Sequence, residues 1–307
     1  MAPPQRSERP GKAVALLDIP MIVDCHAHLL PARRMMKLIE WTVRFNPGHP
    51  VPLDIGLDAL LDEYAEVGVS AIWNFAHAIF PDETDPLNHW NAQLAADHPE
   101  IVAFGTCHPE TSDPLAIVDR CFTEYRFPGM KFHPFVQCFT PWDERFFPLW
   151  ERISAHAGIV VFHTGFEQFY GGTLPLSGFE PILRAFPDLV VVFAHANYPR
   201  VDDAFGMVAR HSNLFLDTVH VFAGVARAWD PGHQPDVWDQ LREGLAAFPD
   251  RVMFGTDHPS GTGTLAEMYR EVRAFGLAPD LEAKLLGGTA HALIERVRRR
   301  RNEVSAG

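Results

Sequence analysis

The chain alternates short apolar segments, rich in Val, Ile and Phe, with longer amphipathic segments of helical periodicity. A spacing of about 20 to 50 residues between apolar segments is typical of strand–helix units that build parallel sheets. Segment 189–193 is apolar at every position, as expected for a strand buried on both faces. The eight predicted strands are 21–23, 69–75, 101–106, 129–132, 158–162, 189–194, 213–217 and 251–256.

Eight such units in 307 residues predict an α/β protein with one closed (β/α)₈ barrel. The pattern alone leaves an open doubly wound sheet as an alternative. We predict one barrel domain over 20–297. Residues 1–19 contain several prolines and charges and are predicted to form a disordered lead-in, and 298–307 is predicted to be a basic tail that caps or trails the last helix.

Composition limits the kinds of molecule that this protein is expected to bind. The chain has 26 Lys and Arg against 39 Asp and Glu, a net charge of −13 that repels nucleic-acid phosphates. No apolar stretch approaches the roughly 18 residues that cross a bilayer, so no membrane role is expected. Four cysteines without a C-x-x-C pair predict reduced thiols in a cytoplasmic protein.

Metal-binding and catalytic side chains follow the predicted strands directly. His26 and His28 close the first strand together with Asp24, and strand alternation predicts that all three face one side. A His-x-His pair on a strand end is a common way to supply two metal ligands. Similar residues follow later strands, namely His133, His163, His195 and Asp257. In a barrel, these strand ends meet at one face, where catalytic groups collect.

Five motifs, each in register with a predicted strand, occur in the order typical of the amidohydrolase superfamily. They are Asp24-x-His26-x-His28, Gly129-Met130-Lys131-Phe132-His133-Pro134, Phe162-His163-Thr164-Gly165, Ala194-His195-Ala196 and Phe254-Gly255-Thr256-Asp257-His258-Pro259. From about residue 21 to 296 the chain resembles the amidohydrolase-2 group, which includes metal-dependent hydrolases and the aminocarboxymuconate-semialdehyde decarboxylases.

This resemblance implies a metal held by His26, His28, His163 and Asp257. Three imidazoles and a carboxylate suit one divalent cation, which we expect to be Zn²⁺, with Mn²⁺ as the alternative. Such a cation makes a bound water acidic and polarises the bond under attack. The resemblance also implies that His195 acts as general base and that Asp257 has a catalytic role besides ligation.

Other residues are predicted to contact the substrate. In binuclear branches of the superfamily a lysine at the position of Lys131 is carbamylated and bridges two metals. The Lys-x-His pattern of the amidohydrolase-2 branch accompanies one metal, so we expect Lys131 or His133 to contact substrate; the alternative is that Lys131 pairs with a buried carboxylate. Arg33, Arg34 and Arg200 are candidates to bind a substrate carboxylate.

Two long connections are predicted to shape the pocket. Segment 31–52 is expected to form part of a lid over the barrel mouth, and the Gly-rich, aromatic loop 165–175 follows His163 directly. Cys25 is predicted to point away from the ligands by strand alternation, which argues against a catalytic thiol.

Two reactions on a small organic substrate, possibly one that carries a carboxylate, fit this set of residues. The favoured prediction is hydrolysis of a lactone, amide or ester by metal-activated water. The alternative is non-oxidative decarboxylation of an aromatic or unsaturated acid, with His195 as proton donor and an arginine binding the carboxylate. A metal-binding protein without catalysis is a third option. A homodimer is expected from the family.

Overall fold

Parallel strands alternate with helices throughout the structure, a computed structural model that describes residues 21–222 and 236–306. The lead-in predicted at 1–19 lies outside this part. The strand segments are β1 Val23–Ala27, β2 Ala71–Asn74, β3 Ile101–Ala103, β4 Gly105–Thr106, β5 Gly129–Phe132, β6 Ile159–His163, β7 Val190–Ala194, β8 Leu214–Asp217 and β9 Val252–Met253.

Helices cover the outside of these strands. They are α1 Ala32–Phe45, α2 Leu57–Val67, α3 Thr84–Asp97, α4 Pro114–Thr123, α5 Phe147–Ala155, α6 Glu180–Ala185, α7 Val201–Arg210, α8 Val237–Ala247, α9 Leu265–Ala274, α10 Pro279–Ala283 and α11 Thr289–Ala306. Within the described residues, none of the helices is long and apolar enough to cross a membrane.

The strands close into a barrel. They pair in parallel in the orders β1-β2-β3 and β4 to β9, and only Phe104 separates β3 from β4, so these two form one barrel strand. Residues after β9 then pair with β1: the Asp257 N–H donates to the His26 carbonyl at 2.8 Å, and the His28 N–H donates to the His258 carbonyl at 2.8 Å. The closed (β/α)₈ barrel is therefore confirmed, and the open sheet is excluded.

The interior of the barrel is filled by apolar side chains, including Val23, Trp73, Phe104 and Val161. Cys25 belongs to this interior cluster and is buried. The prediction that it faces away from the site is therefore wrong, although burial raises the pKa of its thiol, so the argument against a catalytic thiolate remains.

Strand alternation also fails at Asp24. Its side chain accepts a hydrogen bond from the Tyr64 hydroxyl of α2 at 3.0 Å and from the Thr256 N–H at 3.0 Å, instead of lying with the two histidines. The pairing of β1 with β2 shifts register between Asp24 and Ala27, which breaks the period of two. Asp24 is thus a structural carboxylate between β1 and α2.

The predicted lid, 31–52, consists largely of α1. The Trp41 ring of α1 stacks on Tyr170, with centroids 6.0 Å apart and an angle of 14° between the planes. Tyr170 belongs to the loop 165–175, so the two segments predicted to shape the pocket contact each other above the barrel mouth.

The arginine run at the C-terminal end lies within α11. The Arg300 and Arg301 guanidinium groups donate to the carbonyls of Asp188 at 2.9 Å and His156 at 3.1 Å. The run therefore extends the last helix and attaches it to the barrel.

We predict that Gly129→Ala destabilises the barrel. A Cβ at this position of β5 would lie 2.3 Å from the Ile159 carbonyl oxygen, which the parallel pairing holds in place. Overpacking of this kind costs about 1–3 kcal/mol, and thermal unfolding would show it as a lower Tm. The control is Gly206→Ala in α7, where the nearest atom is 3.6 Å away and Ala improves helix propensity by up to about 1 kcal/mol. Equal Tm values for the two variants would contradict this prediction.

Candidate active site

Three side chains at the barrel mouth bring potential metal-ligand atoms together. His26 and His28 come from β1 and its end, and Asp257 follows β9; one ligand atom from each lies within 4.8 Å of the other two. The Asp257 Oδ1 is 2.9 Å from the His28 Nε2 and 3.3 Å from the His26 Nε2. Barrel closure causes this arrangement, because it pairs the backbone of Asp257 with that of His26.

Contacts on the far side of each imidazole direct its Nε2 toward this group. The His28 Nδ1 lies 2.9 Å from the Phe75 carbonyl oxygen, an acceptor that requires the proton on Nδ1. The His26 Nδ1 lies 2.9 Å from the Asp217 Oδ2. Carbonyl and carboxylate partners of this kind are typical of metal-binding histidines, since they leave the Nε2 lone pair available.

His163, the fourth predicted ligand, lies at the end of β6 and lines the same cavity, but it is not part of the three-residue group. Its Nδ1 is 3.1 Å from the His195 Nε2. Its Nε2 is buried and has no hydrogen-bond partner in the described part of the chain. The three converging ligands fit a divalent cation, and the unpaired His163 Nε2 leaves the prediction of His163 as a fourth ligand open.

Burial sets the protonation of the site. It lowers the pKa of His26, His163 and His195 well below the usual value, so these imidazoles are neutral at pH 7, the form that binds metal. Burial opposes ionisation of Asp257, but the charges and hydrogen bonds of His28 and His220 outweigh it and hold the Asp257 pKa well below its usual range.

Lys131 and His133 also lie at the site. The Lys131 Nζ is buried, 3.3 Å from the His26 Nε2 and 5.2 Å from the centre of the Phe75 ring. Burial lowers its pKa to about 8, and the negative charges of Asp217 and Asp257 partly offset this. Among the described residues no carboxylate lies within ion-pair distance of it, so the alternative of direct pairing is not seen.

His133 stacks on His163, with ring centroids 3.8 Å apart and an angle of 14° between the planes. Its Nε2 is 3.3 Å from the Tyr170 hydroxyl. Both His133 and Lys131 line the cavity above the three ligands.

This cavity has a volume of about 230 Å³ and reaches the metal-ligand group, with His28, His163, His195 and Asp257 in its wall. The rest of the wall combines apolar and aromatic side chains with polar and cationic ones. The apolar and aromatic part is formed by Leu30, Leu38, Trp41, Ile79, Val136 and Tyr170, and the polar part by Arg34, Lys37, His77, Lys131, His133 and Ser260.

The three candidate arginines lie in different places. Arg34 lines the cavity, where its Nη2 donates to the His77 carbonyl at 3.1 Å. Arg33, its neighbour in α1, is exposed and is not part of the cavity wall. The Arg200 side chain is 43% exposed and pairs with Glu167 at 3.1 Å in a separate surface groove.

Sequence analysis did not identify Asp217 or His220. Asp217 ends β8 and contacts both His26 and His195. The His220 Nε2 is 3.0 Å from the Asp257 Oδ2. The position of Asp217 at the end of a predicted strand carried the same signal as that of Asp257, but the matched motifs do not include it.

Comparisons with known proteins agree with this fold. A family model described as amidohydrolase matches residues 23–296. No curated protein matches this chain.

Solved structures of similar fold cover nearly the whole chain. An uncharacterised TIM-barrel protein from Bordetella bronchiseptica is 20% identical, with 91% of this chain and 100% of that chain covered and a TM-score of 0.71. A 5-carboxyvanillate decarboxylase from Sphingomonas paucimobilis is 17% identical, covering 90% and 99%, with a TM-score of 0.65. A 5-carboxyvanillate decarboxylase from Novosphingobium aromaticivorans, solved with bound manganese, is 15% identical, covering 90% and 97%, with a TM-score of 0.58.

We predict that the double variant His26→Ala/His28→Ala loses bound metal, since it removes two of about four ligands. Elemental analysis of the purified protein should show a fall from about one equivalent of Zn²⁺ or Mn²⁺ to about a tenth of that or less. The matched control is His98→Ala/His211→Ala, two histidines that do not line the cavity. A full equivalent of metal retained by the first variant would show that the site lies elsewhere.

Proposed function

Because this chain belongs to the amidohydrolase family, we propose that it is a metal-dependent decarboxylase that removes CO₂ from a small aromatic or conjugated acid without oxidation. The observation that carries the proposal is the cavity, whose apolar and aromatic wall ends at the buried histidines and Asp257. Hydrolysis of a lactone, amide or ester, which sequence analysis favoured, is the competing reaction.

The size of the cavity favours a substrate with one ring. Its volume of about 230 Å³ is below the roughly 300–1,000 Å³ of pockets for drug-sized ligands. Trp41 and Tyr170 supply aromatic surface on one side, and Leu30, Leu38, Ile79 and Val136 add aliphatic surface. A flat unsaturated ring fits such a wall better than the two separate halves of an amide or ester.

Two similar structures support the same choice. Both are decarboxylases of an aromatic acid, 5-carboxyvanillate. At 15–17% identity they are evidence for the fold, and their reaction is a guide to which substrates should be tested first.

In the proposed reaction a proton adds to the ring carbon that carries the carboxylate, the bond to the carboxylate carbon breaks, and its electron pair returns to the ring as CO₂ leaves. We assign proton donation to His195. It lines the cavity, and its buried Nδ1 has no hydrogen-bond partner among the described residues. Burial lowers the His195 pKa, so a proton that it takes up beside an anionic substrate is readily given to carbon, and solvent then restores it.

His26, His28, His163 and Asp257 would hold the metal. When bound, a divalent cation supplies positive charge that binds substrate oxygens and stabilises negative charge as it develops on the ring. Arg34, the one candidate arginine in the cavity wall, would bind a second anionic group and so orient the ring.

The reaction class is tested by product analysis. Hydroxybenzoates and carboxylated phenols labelled with ¹³C at the carboxylate should release one ¹³CO₂ per molecule consumed. Removal of metal by a chelator and the variant His195→Asn should each abolish release, whereas His98→Asn, outside the cavity, should retain it. A parallel panel of lactones, amides and esters should give no turnover. Hydrolysis in that panel without CO₂ from any acid would overturn the proposal.

We expect Arg34→Gln to raise KM for a substrate with two anionic groups by about 10- to 100-fold, since a hydrogen bond to a charged group contributes about 1.5–3 kcal/mol. Arg33→Gln is the matched control, because it removes the same charge from the adjacent, exposed position of α1. Steady-state kinetics of both variants provide the measurement. An equal rise in KM for the two variants would mean that Arg34 affects substrate binding only through the net charge of the protein and not through a direct contact.

A further inference from the structure

Asp217 is a buried carboxylate, 1% exposed, at the end of β8. Its two oxygens contact two different residues of the site. The Oδ2 lies 2.9 Å from the His26 Nδ1, and the Oδ1 accepts a hydrogen bond from the backbone N–H of His195 at 2.7 Å. One side chain therefore connects a proposed metal ligand with the proposed proton donor.

We propose that Asp217 is a positioning residue that fixes the His26 tautomer for metal binding and at the same time holds the backbone of His195. The inference rests on the metal site and on the His195 role proposed above. It does not depend on whether the reaction is decarboxylation or hydrolysis.

The tautomer follows from the partners of each ring nitrogen. An ionised carboxylate only accepts, so the contact with Asp217 requires a proton on the His26 Nδ1. On the other side, the His26 Nε2 lies 3.3 Å from the Lys131 Nζ, which donates, and 3.3 Å from the Asp257 Oδ1, which accepts, so these two contacts oppose each other. The shorter contact with Asp217, at 2.9 Å, therefore favours the Nδ1–H tautomer, with Nε2 ready to bind a metal without losing a proton.

The contact with His195 acts on its backbone. The backbone of His195, Ala196 and Asn197 has φ values of 63°, 43° and 56°. This left-handed conformation is uncommon for residues other than Gly. The hydrogen bond to Asp217 anchors the first residue of this turn. Loss of that bond frees the turn that carries the His195 ring into the cavity.

Asp217→Asn tests both functions, because both partners present an N–H to Asp217. A carboxylate provides two acceptor oxygens, whereas an amide provides one oxygen and an NH₂ group. In either orientation one contact is lost. Because the Oδ1 position accepts N–H bonds from both His195 at 2.7 Å and Val219 at 3.3 Å, we expect the amide oxygen there and the NH₂ facing His26. The NH₂ then donates to Nδ1 and moves the ring proton to Nε2, the atom that would bind metal.

The experiment uses full-length, metal-free protein with ¹⁵N-labelled histidine. Nitrogen chemical shifts report which ring nitrogen carries the proton, and His26→Gln identifies the His26 signals. We expect the Nδ1–H tautomer in the wild type and a shift toward Nε2–H in Asp217→Asn. Titration with Zn²⁺ alone, in competition with a chelator, should show affinity reduced about 10- to 100-fold.

Asp24→Asn is the matched control. Asp24 is also buried and accepts a hydrogen bond from the His26 backbone N–H at 3.0 Å, but no contact joins it to the ring. This variant should lower Tm and leave the His26 tautomer and Zn²⁺ affinity unchanged. An equal loss of affinity in both variants would overturn the proposal, since the loss of any buried carboxylate near the site would then explain the effect.

The wild-type spectrum tests the proposal even if Asp217→Asn does not fold. A His26 proton on Nε2 in the metal-free wild type would overturn it. Absence of CO₂ release with an Nδ1–H tautomer and intact Zn²⁺ affinity would overturn the proposed reaction and leave the role of Asp217 toward His26 supported.

Discussion

The backbone pairing between β1 and the residues after β9 is the contact on which the site depends. It joins the two ends of the barrel sheet, and one of its hydrogen bonds links the Asp257 N–H directly to the His26 carbonyl. Two segments more than 200 residues apart in the sequence thereby place their side chains within reach of one ion. Closing the barrel and assembling the metal ligands are thus the same event, and a barrel left open at this seam would have no site.

Burial determines the charge states of the side chains at the site. The site collects several histidines and a lysine in a small volume, which would repel one another if all were charged. Because desolvation lowers the pKa of His26, His133 and His163 well below the usual value, these imidazoles are neutral at pH 7, and the repulsion among them and with the Lys131 ammonium is removed. Asp257 stays ionised in their midst, so the ligand group carries the negative charge that attracts a cation.

Much of the fold and part of the site could be predicted from the sequence. The eight strands were predictable because each is an apolar run, and His26, His28 and Asp257 because they end such runs. Strand alternation misplaced Asp24, since a register shift within β1 is invisible in the sequence. Which arginine reaches the cavity depends on how α1 packs over the barrel mouth, and that packing involves loop residues far along the chain, such as Tyr170.

The stacking of Trp41 on Tyr170 has an evolutionary consequence. These two rings form one side of the substrate cavity, yet they belong to separate connections, one after the first barrel strand and one after the fifth. A substitution that enlarges or reshapes one ring removes the support of the other, so its effect on substrate choice depends on what stands at the partner position. New specificities in this protein would therefore arise by paired changes in two connections, while the barrel below them and its ligands stay the same.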